Sequence, residues 1–268
     1  MSNRPLKMVG QEYARVRLAE LQIDHEYQRT LDEKRAQKIG EQYVPALFGV
    51  VVVAQRNDGV YYVIDGQHRV AGLVMSGHQD MEIAVQVHRG LTQSEEAMMF
   101  YELNMGRGNV RAFDQFKARV VGREPIATTI VGILTDLRLR AVPSACKNGV
   151  SGVTALESVH QRFDNLVPTL TVLKCWSNAK NGDYMAYDKR LILYVGTFLA
   201  MFKQADTEVL TKKLIAYGAP ANVIAEMLHE HETWKTESAK TCAIAVLLKI
   251  YNTRNRKPLR REDRGIDA

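Results

Sequence analysis

"VIDGQHRVAGL", residues 63–73, decides how the first part of the chain is read. An apolar run closes on Asp65-Gly66, three polar residues follow, and from Val70 small and apolar residues recur at helical spacing. A strand that turns through glycine into a helix aims the first helical N–H groups at whatever lies beyond the turn. Those groups have no intrahelical acceptor and attract anions. Gly66 lets backbone approach a ligand closely. Arg69 can fork onto a phosphate, and His68 can add a donor or carry a proton near neutral pH. Asp65 can hold magnesium through water, orient His68 or accept a proton from a substrate hydroxyl. The same spacing also suits a plain capped helix, with Asp65 as N-cap and His68 and Arg69 on its surface.

The flanks give the junction its setting. "GVVVVAQ" and "VYYVI" read as strands separated by Asn57-Asp58-Gly59, a hairpin-like turn. Tyr13 to Leu18 reads as an earlier strand, and "TLDEKRAQKIGEQY" as a helix with Thr30 as N-cap and Glu33 at capping-box spacing. A helix runs from about Gly66 to Met75 and stops at Ser76-Gly77, and "MEIAVQVHR" alternates as a strand. Thr92 with Glu95 starts a further helix, "QSEEAMMFYELN". Then comes "MGRGNVR", a loop whose Gly106 and Gly108 free the backbone around Arg107 and Arg111, either to wrap an anion or to link two domains.

From Ala112 the signal is helical: 112–121, 124–139, 154–163, 165–177, 188–203, 206–217, 219–231 and 234–252. The expected class is α+β, with an α/β domain over 1–110 and a helical domain with a basic tail over 111–268. Within the helical part, "LTKKLIAYGAPANVIAEMLHE", residues 210–230, could form a helix-turn-helix about Gly218, though paired helices in any bundle look alike. "HEHE", residues 229–232, sets His229 and Glu232 three apart but brings no further ligand, so a solvated helix end is the better reading.

The composition sets outer limits. A charged content of 25% and a hydrophobic content of 46% suit a globular chain of 268 residues. The longest apolar run, Phe48 to Ala54, suits a buried strand and falls far short of the ~20 residues of a membrane helix. The N-terminus has no apolar signal core, and the three cysteines, 146, 175 and 242, fit no paired motif, which argues against zinc and disulfides and for a reducing, cytoplasmic setting. The net charge of +6 permits a polyanionic partner without demanding one. "RNRKPLRREDR", residues 254–264, reads as a mobile basic tail, with Arg254, Arg256, Lys257, Arg260 and Arg261 as DNA-contact candidates.

"DGQHR", preceded by two strands and an upstream "EYQR", resembles the ParB/sulfiredoxin-like superfamily, and within it ParB N-terminal-domain proteins of the DGQHR type from bacteria and phages. The resemblance covers about residues 12–118. "DHEYQR", residues 24–29, resembles a first box whose Gln28 and Arg29 would flank a nucleotide. "DGQHRVAGL" resembles a second box in which Gly66, Gln67, His68 and Arg69 would cradle a triphosphate. "FYELNMGRGNVRAFDQFKA", residues 100–118, resembles a third box in which an acid and Asn104 would hold magnesium and Arg107 would follow. In that family the acid directly precedes the Asn. Here Leu103 stands there and Glu102 one place earlier. Gln67 replaces the cysteine that sulfiredoxin chemistry requires, whereas Asp65, Gly66, His68 and Arg69, with upstream His25-Glu26, also fit free-serine kinases of the superfamily.

The resemblance implies a DNA-associated regulatory protein, bacterial or phage-borne. Its cofactors would be a nucleoside triphosphate (CTP or ATP) and Mg2+, and its partners DNA and a second copy of itself, with no membrane. The alternative is an enzyme, a phosphotransferase or a nuclease, with Glu26 or Asp65 as the proton-accepting group.

Overall fold

The computed structural model describes residues 10–105, 111–260 and 262. Arg107 and Arg261, candidates for nucleotide and DNA contact, lie outside them, as do Gly106 and Gly108. The chain divides into two compact units, Met1–Thr128 and Thr129–Ala268. The first holds a five-stranded sheet, and the second is helical apart from one short β pair, so the chain is a mixed α+β protein.

In the first unit, β1 (Gln11–Arg17), β2 (Leu21–Gln22), β3 (Val51–Gln55), β4 (Tyr61–Asp65) and β5 (Glu82–Arg89) lie in the order β1-β5-β3-β4-β2. The β3–β4 hairpin is antiparallel and shifts register between Val52 and Val53, β3 runs parallel to β5, and β4 parallel to β2. Val51, Val53, Val63, Val85 and Val87 bury one face of the sheet together with Val70 and Leu73. Ala54 and Ile64 bury the other face against Tyr27, Ala97 and Phe100. Being enclosed on both sides explains why "VVVA" is an unbroken apolar run rather than an alternating one.

Four helices and a single short turn of helix complete the sheet. α1 (Glu33–Glu41) starts from Asp32, whose side chain accepts from the Arg35 amide, and not from Thr30 as the sequence suggested. A carboxylate is as good a cap as threonine, and the Asp32 amide is itself fixed by a tertiary bond to His68. α2 (Pro45–Phe48) is one short turn. α3 (Gln67–Met75) starts at Gly66, in the left-handed region at φ 110°, so Asp65 stays in β4 and does not cap the helix. α4 (Gln93–Asn104) carries the complete Thr92/Glu95 capping box. α5 (Ala112–Val121), assigned from sequence to the helical part, packs on α4 within the first unit.

α1 and α3 touch backbone to backbone. A Cβ at Gly40 would lie 2.2 Å from the Gly72 carbonyl oxygen, and one at Gly72 2.3 Å from that of Ala36. No side chain larger than hydrogen fits at either position.

α6 (Pro125–Asp136) runs across the division between the units. The second unit then has β6 (Arg140–Ala141) paired in parallel with β7 (Gly149–Val150), a contact with no local signal in the sequence. Six α-helices follow among the described residues: α7 (Val153–Phe163), α8 (Leu166–Ala179), α9 (Lys189–Met201), α10 (Thr207–Tyr217), α11 (Pro220–Thr233) and α12 (Ala239–Asn252). Trp176, Phe198, Phe202, Leu156 and Leu170 are fully buried at their centre. The Trp176 indole donates to the Gly218 carbonyl at 2.9 Å, fixing the turn between α10 and α11. α11 carries Glu226, Glu230 and Glu232 and no Lys or Arg, so as the second helix of a helix-turn-helix it would oppose a phosphate backbone.

The tail is held down for part of its length. Asn252 bonds both the amide and the carbonyl of Leu259, at 2.8 and 2.7 Å, and Leu259 is buried. The expected mobile segment is therefore anchored as far as Leu259. Arg254, Arg256, Lys257 and Arg260 remain exposed on it. Among the described residues no helix is long and apolar enough to cross a membrane.

Substitution Gly72→Ala must push α1 and α3 apart. We expect it to lower the unfolding free energy in urea by about 1–3 kcal/mol, the cost typical of forced overpacking. An unchanged urea midpoint would mean that the two helices do not meet at backbone distance.

Candidate functional site

The junction after β4 opens into a cleft of about 780 Å³. Gly66, Gln67, His68 and Arg69 form its floor, with Arg29, Arg35 and Asn104 at its sides and Val44, Leu47, Phe48 and Val50 as an apolar wall. Gly66 is required here. Besides its positive φ, an added Cβ would meet Val51 Cγ2 and Arg69 Nη2, each at 3.0 Å.

His68 is buried and acts first as a tie. Its Nε2 accepts the Asp32 amide at 3.1 Å, which puts the ring proton on Nδ1. Arg29 Nη2 lies 3.3 Å from that Nδ1. Two donors then face the same space, an arrangement satisfied by one acceptor oxygen bonded to both. Burial first, and then the charges of Arg29 and Arg35, push the His68 pKa down to about 4, so the ring is neutral at pH 7. Arg29 is likewise lowered, by burial and then by Arg35, with Asp114, Asp65 and Asp32 opposing. The cleft therefore concentrates positive charge beside a helix N-terminus.

Gln67 is buried and its Nε2 donates to the Arg29 carbonyl at 3.2 Å. Its Oε1 is buried and has no partner among the described residues. A buried acceptor without a donor is costly, so the position suits a ligand hydroxyl or amino group or an ordered water. Arg69 is engaged with the protein itself. Its Nη1 donates to the Phe48 carbonyl at 2.7 Å, its Nη2 lies 3.5 Å from Asp65 Oδ2, and its guanidinium stands over the Phe48 ring. Arg69 thus holds the apolar wall in place, a role the sequence did not suggest.

Several expected site residues lie elsewhere. Gln28 is buried outside the cleft, where its Nε2 donates to the Val63 and Ile64 carbonyls at 2.8 Å each and takes over β4's edge where β2 ends. Glu26 is exposed, its amide bonded to Asp24, and does not line the cleft, so it is not placed to act as a base there. Glu102 and Asn104 stand two apart on α4, about 200° around the helix, so Glu102 faces outward while Asn104 is buried in the cleft wall. The Asn104 amide nitrogen is bonded to the Phe100 carbonyl at 2.8 Å. No group of three His, Cys, Asp or Glu residues among the described ones could hold a metal ion. The residues present fit a polyphosphate, and they do not fit a magnesium ion held by the protein alone.

Sequence reasoning missed Arg35, and it missed the network that seats Arg29. Arg56 bonds Glu96 through Nε and Nη2 at 2.8 and 2.6 Å, and Asp24 at 2.6 Å. It also stacks over Tyr62 at 3.7 Å. Tyr27 Oη donates to Glu96, and Gln93 to Asp24. Burial raises the Asp24 pKa, but the bonds from Arg56, Gln93 and the Glu26 amide outweigh it and the net shift is downward. For the tyrosine, burial and then the Glu96 charge push the hydroxyl far upward. The only sign in the sequence was a glutamate next to Ala97 on a helix that buries Phe100.

Residues 23–256 match the family described as of unknown function (DUF6551), and the chain belongs to it. No curated protein matches the chain. Two solved structures of the C-terminally truncated chromosome-partitioning protein ParB from Caulobacter crescentus are similar to it. The one complexed to the centromeric parS site is 13% identical, covering 87% of this chain and 98% of that one at a TM-score of 0.39. The one complexed with CTP-γ-S is 16% identical, covering 68% and 99% at a TM-score of 0.24. Neither TM-score reaches the range of a shared fold, and the DNA site and the nucleotide are those of ParB.

Two outcomes follow from this geometry. Arg56→Met leaves the fully buried Glu96 without its cation, and we expect about 3–5 kcal/mol lost in chemical denaturation. His68, depressed from 6.5 to about 4, makes the unfolded chain the better proton binder between those values. Stability is thus full above pH 6.5 and falls as pH drops through this window. His68→Gln should lose less than the parent between pH 7.5 and pH 5, by about 1–2 kcal/mol. Equal losses in the two proteins would show that His68 is not held neutral.

Proposed function

From the resemblance carried by residues 24–29, 65–73 and 100–118 and from the geometry of the cleft, we propose that the chain is a ParB-like, nucleoside-triphosphate-binding regulatory protein that associates with DNA. The observation that carries this reading is the convergence of Arg29 and the His68 Nδ1 proton at the N-terminus of α3, beside the unpartnered Gln67 Oε1. Triphosphate oxygens would accept from Arg29, His68, Arg35 and the first amides of α3. Gln67 would accept from a hydroxyl or amino group of the nucleotide. Magnesium, if bound, would be held mainly by the phosphates themselves, with Asn104 close by in the wall. Arg69 would contribute by holding Phe48 and the apolar wall against the rest of the nucleotide. DNA association is supported by the net charge of +6 and by the exposed cations Arg254, Arg256, Lys257 and Arg260.

A binding role fits better than transfer chemistry, because Glu26 lies off the cleft and Asp65 is engaged with Arg69. Thermal shift with each of the four ribonucleoside triphosphates, with and without magnesium, tests the reading directly. We expect at least one to raise the melting temperature. Arg29→Ala should weaken that nucleotide by about 10–100-fold, the size of a lost charge-assisted bond, while Glu26→Gln leaves it unchanged. A folded Arg29→Ala protein with parental affinity would defeat the reading. Rapid phosphate transfer to serine, lost in Glu26→Gln, would replace it with the enzyme.

A further inference from the structure

The loops at the N-terminal end of α9 gather cations from four separate stretches of the second unit. The β6–β7 pairing sets Arg140 opposite Gly149, and Arg140 Nη2 reaches the Cys146 sulfur at 3.7 Å. Lys147, next in the chain, lays its stem on Gly182, where an added Cβ would meet Lys147 Cε at 3.2 Å. Lys180 stands two residues before that glycine, on the same turn, through the Gly182 amide bond to Ser177 and the Asp183 amide bond to the Lys180 carbonyl. Lys189 opens α9, and its Cβ lies 3.0 Å from the place a Cβ would take at Gly152, the N-cap of α7. Gly196 meets Val159 one stretch further along both helices, so α7 and α9 run parallel with their positive ends together. Arg138, at φ 52°, adds a fifth cation just before β6.

Little negative charge offsets these five. Among the described residues no carboxylate oxygen lies within ion-pair distance of Arg138, Arg140, Lys147, Lys180 or Lys189. The nearby Asp188 accepts from the Arg190 side chain and amide and, more weakly, faces the charge of Lys189, and Asp183 is used on the Met185 amide. Arg138, Arg140, Lys147 and Lys189 are exposed, and so is Tyr184 beside them. A protein interface would be expected to have an apolar centre, and a membrane contact apolar anchors. This surface offers long cations around a single tyrosine, which is the chemistry of a nucleic-acid backbone.

We propose that this loop cluster is a phosphate-backbone contact surface for DNA, distinct from the basic tail. The inference rests on the DNA-associated reading above and names where the duplex is met. The tail emerges beyond α12, whose Tyr251 packs on Phe198 toward the other end of α9. Lys189 and Phe198 are separated by about 14 Å along α9, so the tail does not simply extend the loop cluster.

The test compares duplex affinity across salt for three full-length proteins: the parent, Arg140→Gln/Lys147→Gln/Lys189→Gln, and Arg254→Gln/Arg256→Gln/Lys257→Gln. The loop triple variant should bind at least tenfold more weakly at 0.1 M salt, equally for unrelated sequences, and its salt slope should flatten by about 3. All three positions are on the surface, and an unchanged circular dichroism spectrum and melting temperature confirm folding. A folded loop variant with parental affinity and slope overturns the proposal while leaving DNA association standing on the tail. A parent that binds no DNA at all removes the DNA-associated reading, and this surface with it. Displacement by polyglutamate at lower concentration than by duplex would assign the cluster to an acidic protein and also overturn it.

Discussion

The buried carboxylate of Glu96 is the constraint on which the first unit depends. It has no exposure to water, so it must be bonded within the protein, and it is bonded by Arg56 from the β3–β4 hairpin and by Tyr27 from the segment after β2. Arg56 then reaches Asp24 in that same segment. One charge on α4 thereby holds together hairpin, helix and the segment after β2. An ion pair so placed adds little net stability over apolar residues of the same size, but losing one partner is severe. What it contributes is position. With Tyr27 fixed, Arg29 stands over the start of α3 and its carbonyl receives Gln67.

The cleft holds polar and charged groups under mutual conflict. Arg29 and Arg35 repel each other, His68 is kept neutral beside them, and Gln67 has an acceptor with nothing donated to it. Each of these costs folding free energy, and under the proposed reading each would be relieved by one polyanion carrying hydroxyl or amino donors. Arg69, Gln28 and Asp32 bond backbone and carboxylate groups of the protein and serve as supports. Under the proposed reading, residues of one short motif would be divided between the ligand and the framework that presents it.

The second unit distributes its charge unevenly. α11 carries the glutamates, one of which, Glu226, pairs with Lys249 of α12. Besides the cations on its other helices, Arg138, Arg140 and Lys147 and the tail's Arg254, Arg256, Lys257 and Arg260 stand outside the helices, exposed, where long side chains stay hydrated. α11 itself has no Lys or Arg, so a recognition helix there would bring no cation to a phosphate backbone.

The sequence by itself determined the elements. The valine runs, Asn57-Asp58-Gly59, Gly66 and the Thr92/Glu95 box are local signals, and each acts over a few residues, so β3, β4, α3 and the start of α4 follow from them directly. The strand-to-helix junction was legible for the same reason, since only glycine accepts φ 110° there. Tertiary structure decided which polar residues face the cleft. Arg35 enters it because Gly40 and Gly72 let two helices touch, a contact 32 positions apart in the chain. Gln28 leaves it because β4 has an open edge where β2 stops after two residues. Glu102 turns away because the helical period sets it opposite Asn104. Nor could the chain announce that Leu259 would fold back on Asn252, or that four loops would bring their lysines and arginines to one end of α9. Spacing along a chain fixes local conformation, whereas the partner of a charged side chain is chosen by packing between segments far apart in sequence, and there the deciding term is the cost of burying a charge alone.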